Sequence, residues 1–189
     1  MFVLKKKYFF IIKSIKDIQL KNIKNFGKYS IIYRNNIPEN IEKLKKFRLD
    51  CKIKKIPFFI GNNIKLMNAI KADGLYISAY NRKLNTINLK NNYKIIGSAH
   101  NVKEINLKKL QGCTQIFFSR LFKTSYKNKE TFLGIVKFNL FARLIKTSLT
   151  PLGGINLQNL NKLQNINCEN VALSSLIIEK TMEAQKVLK

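Results

Sequence analysis

Carboxylates, paired cysteines and long apolar runs are what this chain lacks. Its 189 residues hold 10 Asp and Glu against 36 Lys and Arg, a formal charge of +26. Such an excess of cations suggests an anionic partner: nucleic acid, a membrane surface or phosphorylated small molecules. The lysines are spread over nearly every segment, however, whereas a nucleic-acid footprint clusters on one face or helix and interleaves aromatic residues. So diffuse an excess reads as biased composition over a solvated surface, with no specific nucleic acid expected as a partner. A basic nucleic-acid-binding module remains the alternative that charge alone supports.

Cys51, Cys113 and Cys168 are far apart, and none belongs to a C-x-x-C pair. That spacing argues against a zinc knuckle or a disulfide framework, and the thiols read as buried and reduced. No segment approaches the roughly 20 apolar residues of a membrane-spanning helix. The start, "MFVLKKKYFFIIKSIK", begins like a leader, but "YFFII" is shorter than a secretory apolar core and no small-residue cleavage site follows. The expectation is a cytoplasmic protein with no membrane contact. The oligomeric state does not follow from the sequence.

Apolar residues make up 46% of the chain, enough for one domain over 1–189 with a core that needs no disulfide or metal. They fall in short runs separated by helix-like segments. The runs are "YFFII" (8–12), "YSIIYR" (29–34), "PFFI" (57–60), "GLYIS" (74–78), "YKIIGSA" (93–99), "QIFFSRLF" (115–122), "SLTPLGGI" (148–155) and "NVALSS" (170–175). Between them, 38–55, 63–72, 101–112, 132–146 and 156–166 read as helices, a last one follows 175, and 101–112 closes on a glycine. Eight strands alternating with helices predict a (β/α)8 barrel, the TIM-barrel class, with minimal loops and a shortened first helix. An open doubly wound sheet is the other arrangement of the same pattern, and in both the ligand end is the carboxyl end of the strands.

The strand ends are polar, cationic and rich in glycine: Arg34-Asn35-Asn36, Gly61-Asn62-Asn63, Tyr80-Asn81-Arg82, Gly97-Ser98-Ala99-His100, Lys123 to Lys127, Gly153-Gly154-Ile155-Asn156 and Ser174-Ser175. Gly153 and Gly154 separate a strand from a helix expected to start near Asn156. Glycine permits close backbone approach and a helix start presents N–H groups, so this turn is a candidate phosphate cradle. His100, the single histidine, could act as acid or base but carries no assigned role. Asp73 in "KADGL" reads as a turn residue.

The ordered set "NNIKLMNAIKADGLYIS", "KIIGSAHN", "FKTSYK", "PLGGINLQN" and "NVALSSLI" resembles the thiamine phosphate synthases and their thiazole tautomerase relatives over about residues 30–178. The resemblance implies a barrel that joins a pyrimidine methyl diphosphate to a thiazole phosphate and releases pyrophosphate. By position, Arg34, Ser98 and Lys127 fall on the family's diphosphate contacts, and these three would carry catalysis. Thr124, Gly154, Ser174 and Ser175 fall on the thiazole phosphate side. Cations and N–H or O–H donors are what phosphoryl oxygens require.

The departures are as informative. A glutamine and a lysine that flank the family's arginine stand here as Ile32 and Asn36, and a second threonine of the sixth loop as Tyr126. The Asn-Asp pair ending the third strand is Gly61-Asn62, and the aspartate of the fourth is Asn81. Those two aspartates bind magnesium in the family, so magnesium is a doubtful cofactor here, held weakly or not at all at Asn62 and Asn81. Arg82, Lys123 and Lys127 could neutralise pyrophosphate in its place. The resemblance also leaves open a tautomerase, or a phosphate-binding barrel that has lost the reaction.

Overall fold

The computed structural model describes residues 6–23, 26–124, 131–156 and 158–174. Eight parallel strands close a barrel in chain order: β1 (Lys7–Ile12), β2 (Tyr29–Tyr33), β3 (Phe58–Gly61), β4 (Gly74–Ile77), β5 (Lys94–Ala99), β6 (Gln115–Ser119), β7 (Ser148–Leu152) and β8 (Asn170–Ser174). Closure is made by β1 against β8, from Lys7 opposite Asn170 to Ile11 opposite Ser174. The chain is thus a (β/α)8-type barrel.

Side chains alternate across each strand, and that period divides the core in two. Phe9, Ile32, Phe59, Tyr76, Ile96, Phe117 and Ala172 face the lumen and are at most 3% exposed. Their rings interlock, with Phe9 to Phe117 centroids at 5.2 Å and Tyr76 to Phe117 at 5.7 Å. The barrel is a packed core with no open bore. The alternate positions, such as Phe10, Ile31, Phe58, Leu75, Ile95 and Phe118, join the larger cluster under the surrounding helices. Each fully buried Phe or Ile contributes about 1.5–3 kcal/mol.

Four α-helices are described: α1 (Ile41–Ile53), α2 (Ile64–Ala69), α3 (Val102–Leu110) and α4 (Gly134–Leu144). Asn40, Asn63 and Asn101 cap the first three, their side-chain oxygens accepting backbone N–H groups of the first turn. None of the described helices is long and apolar enough to cross a membrane. After β1, β4 and β7 the described parts of the connections hold 3-10 turns in place of α-helices, three after β1 and one each after β4 and β7. This corrects the expected helix over 156–166, where the structure has a 3-10 turn at Leu160–Asn165. Strand β6 ends at Ser119 and β7 at Leu152, earlier than the apolar runs suggested. The helix expected after 175 lies outside the described residues.

At the amino end, Asp73 ties β3 to α1: its carboxylate accepts the Phe58 N–H at 2.7 Å and pairs with Arg48 at 2.6 Å. Its role is to join elements.

Candidate active site at the carboxyl rim

One step beyond the lumen plug, the same alternation brings Arg34, Ser78, Ser98 and Ser119 to the carboxyl end of the barrel. Tyr76 belongs to the plug and is fully buried, yet its hydroxyl reaches this layer. The Ser98 hydroxyl and the Arg34 side chain both interact with it. Burial raises the phenol's pKa above its ordinary value, and the contacts with Ser98 and Arg34 oppose that rise. Arg34 itself is exposed and its N–H is anchored on the Ile12 carbonyl at 2.8 Å. Two of the expected diphosphate residues are thus joined through one phenol that sequence reasoning did not single out. The signal for it was a polar side chain at a lumen position of "GLYIS".

On the other side of the rim, Gly153 and Gly154 have φ of +94° and +70°, a region that favours glycine. A Cβ on Gly154 would run into the Phe122 carbonyl, so this turn lies directly against the segment that carries Thr124. Backbone bonds hold the two together, Leu121 N–H to Leu152 O at 3.0 Å and Phe122 N–H to Gly153 O at 3.1 Å. Thr124 Oγ1 and the Nε of Arg120, just past β6, are buried without a hydrogen-bond partner. Sequence reasoning passed over Arg120, although a lone cation inside the apolar run "FFSRLF" marks it.

Among the described residues no helix starts at Asn156; the next element is the 3-10 turn at Leu160–Asn165. The Asn156 N–H donates to Asn159 Oδ1 at 2.8 Å, and the Asn159 N–H returns to Asn156 Oδ1 at 3.0 Å. These N–H groups are satisfied within the turn, so any cradle here consists of the glycine turn and its neighbours, with no helix dipole behind it. Ser174 is the last residue of β8; Lys127 and Ser175 lie outside the described residues.

A cavity of about 400 Å³ lies at the opposite, amino end, lined by Lys7, Lys28, Lys55, Lys94 and Glu169 among others. The hydroxyl, arginine and glycine groups suited to bound phosphates are at the carboxyl rim, which is where barrel enzymes place their chemistry.

The model for the thiamine monophosphate synthase family matches residues 16–177. The chain belongs to that family. A thiamine-phosphate synthase of Prochlorococcus marinus is 31% identical over 160 residues, covering 80% of this chain and 45% of that protein. One from Fusobacterium nucleatum is 26% identical over 142 residues, with 74% of this chain and 69% of that protein covered. The chain thus spans less than half the length of the first relative. In fold it is similar to a thiamine phosphate pyrophosphorylase from Pyrococcus furiosus, with a TM-score of 0.76 at 17% identity over 98% of this chain and 96% of that one.

At Asn62 and Asn81, the two positions that the resemblance sets against metal ligands, the side chains bind each other. Asn62 Oδ1 accepts the Ser78 N–H at 2.9 Å and the Asn81 amide N–H at 3.2 Å, while Asn62 Nδ2 donates to Ser78 Oγ at 3.1 Å. Asn81 Oδ1 accepts the Lys83 N–H at 3.0 Å. Both lone pairs of the Asn62 oxygen are engaged, and an N–H sits where two ligands sharing a cation would each offer a lone pair. These residues do not fit a magnesium ion, which takes charged oxygens in octahedral geometry. Among the described residues no group of three His, Cys, Asp or Glu could hold a metal.

Helix α3 braces this amide pair from below. Fully buried Lys108 donates to the Asn81 carbonyl and to Gln111 Oε1, both at 2.8 Å, and Gln111 Nε2 bonds the carbonyls of Asn81 and Lys83 at 2.9 and 2.8 Å. Burial lowers the Lys108 pKa, against the opposing pull of Cys113 and Glu104. His100 is held at the start of α3, its N–H and Nδ1 at 2.7 and 3.0 Å from Glu104 Oε2; that contact is a local tie.

Proposed function

We propose that this chain is a transferase that joins a pyrimidine methyl diphosphate to a thiazole phosphate. The observation that carries the reading is the meeting of Arg34 and Ser98 at the Tyr76 hydroxyl, above a sealed lumen, within a family of thiamine monophosphate synthases. In the reaction, the bond between the pyrimidine methylene carbon and the diphosphate oxygen breaks, its electron pair leaving with pyrophosphate. The thiazole nitrogen lone pair then forms the new carbon–nitrogen bond. Arg34 and Ser98, with Lys127 by resemblance, stabilise charge on the leaving group; Thr124 and Gly154, with Ser174 and Ser175, hold the thiazole phosphate. Catalysis of this kind is positioning and electrostatic stabilisation, and the cations come from the chain itself.

The test is turnover. Purified protein given both phosphorylated substrates, with magnesium and again with a chelator, is expected to form thiamine phosphate and pyrophosphate in equal amounts. Arg34→Gln should lower kcat by about 10²-fold, the scale of losing one charged stabiliser of a developing anion. No product above a blank would end the reading. The Asn62 to Asn81 hydrogen bond favours a second reading, an isomerase acting on the thiazole phosphate without metal, which interconversion of thiazole isomers in the absence of any pyrimidine would select.

A further inference from the structure

We propose that Arg120 is an anion-binding residue of the rim, holding a phosphate monoester jointly with Thr124 against the Gly153-Gly154 turn. The inference rests on the transferase reading above, in which Arg120 has no part. Among the described residues only two buried side-chain polar atoms lack a hydrogen-bond partner, Arg120 Nε and Thr124 Oγ1. Buried polar groups are nearly always paired, and an unpaired donor of a charged group is the costliest kind. Two such atoms in one five-residue segment call for a shared acceptor.

The packing says where that acceptor sits. The Arg120 side chain runs along Gly153, where an added Cβ would lie 3.2 Å from Arg120 Cγ, and the Gly154 backbone abuts Phe122 and Lys123, next to Thr124. Both orphaned donors therefore flank one glycine turn at the end of β7. None of the ion pairs among the described residues involves Arg120, so none of the described carboxylates neutralises its charge. A guanidinium N–H beside a hydroxyl complements a tetrahedral oxyanion with several lone pairs, and arginine suits phosphoryl groups better than lysine. In a rim whose metal positions are amides, Arg120 supplies fixed positive charge from the opposite wall.

The test is calorimetric titration of the full chain with a thiazole phosphate, inorganic phosphate and pyrophosphate, on the wild type, R120Q and R120M. R120M keeps an unbranched chain along Gly153 and serves if R120Q does not fold. The expected result is a 10- to 100-fold weaker affinity for the thiazole phosphate and for inorganic phosphate, the scale of one charge-assisted hydrogen bond, with pyrophosphate affinity moved by less than about twofold. The KM for the thiazole phosphate should rise while kcat changes little, and R120K should restore part of the loss. Because the chain has only five arginines, the Nε–H resonance of Arg120 can also be followed in the wild type, and it should shift on saturation with inorganic phosphate. Unchanged monoester affinity in a folded variant, or an unmoved resonance, overturns the Arg120 assignment and leaves the transferase reading standing. A wild type that binds neither monoester nor pyrophosphate brings down both.

Discussion

Restoring carboxylates at Asn62 and Asn81 should convert a hydrogen-bonded pair into a metal-dependent one. The single variant N62D keeps an oxygen that accepts from Ser78 and Asn81 and gives up only the donation to Ser78 Oγ, so it should lose about 1 kcal/mol. The double variant N62D/N81D replaces the 3.2 Å amide contact with two like charges. Their repulsion at that distance is about 1 kcal/mol at the dielectric of water and about 5 kcal/mol at an effective value of 20. Without metal, its melting temperature should fall by several degrees, at roughly 2–4 °C per kcal/mol for a chain of this size. Magnesium at about a hundred times its Kd returns about 2.7 kcal/mol, a rise of roughly 5–10 °C, whereas the wild type should shift by less than about 1 °C. Thermal unfolding with magnesium and with chelator reads both. A wild type stabilised by magnesium as strongly as the double variant would refute the argument that the amides close the site to metal.

Two other outcomes follow from backbone and thiol chemistry. Gly134 and Gly154 share nearly the same φ, +69° and +70°, but a Cβ meets nothing within 4 Å at Gly134 and the Phe122 carbonyl at Gly154. Gly134→Ala should therefore cost about 1 kcal/mol of strain and Gly154→Ala several kcal/mol, with monoester binding lost in the latter; equal denaturant midpoints would contradict the close approach. Burial pushes the thiols of Cys51 and Cys113 up to about 12, so the folded state keeps protons that the unfolded chain releases near pH 9. Their stabilisation is complete below pH 9 and is lost as pH rises toward 12, by about 3 kcal/mol per pH unit for the pair. C51A/C113A should show a slope of unfolding free energy between about pH 9 and 11 that is shallower by that amount; parallel slopes would place the thiols in water.

The barrel was legible because each strand is a short apolar run bounded by polar turns, and the strands' period of two sorts residues such as Phe9 and Phe117 inward and Phe10 and Phe118 outward. The error over 156–166 has a physical cause in the same stretch. Its apolar residues Leu157, Leu160, Leu163 and Ile166 recur every three positions, the repeat of a 3-10 turn and not the 3.6 of an α-helix. At the rim, resemblance pointed to Arg34, Ser98, Thr124 and Gly154, since donor type and order along the chain carry that information. It could not reveal that Tyr76 links Arg34 to Ser98, that Asn62 bonds Asn81, or that Arg120 Nε has no acceptor. Those facts depend on which strand ends meet in space.

The ring-filled lumen has a further consequence for traffic. With Phe9, Phe59, Tyr76 and Phe117 sealing the barrel's waist, nothing can pass from one end to the other. Whatever binds at the carboxyl rim must therefore enter and leave on that side, and the lysine-lined cavity at the amino end cannot feed it through the barrel.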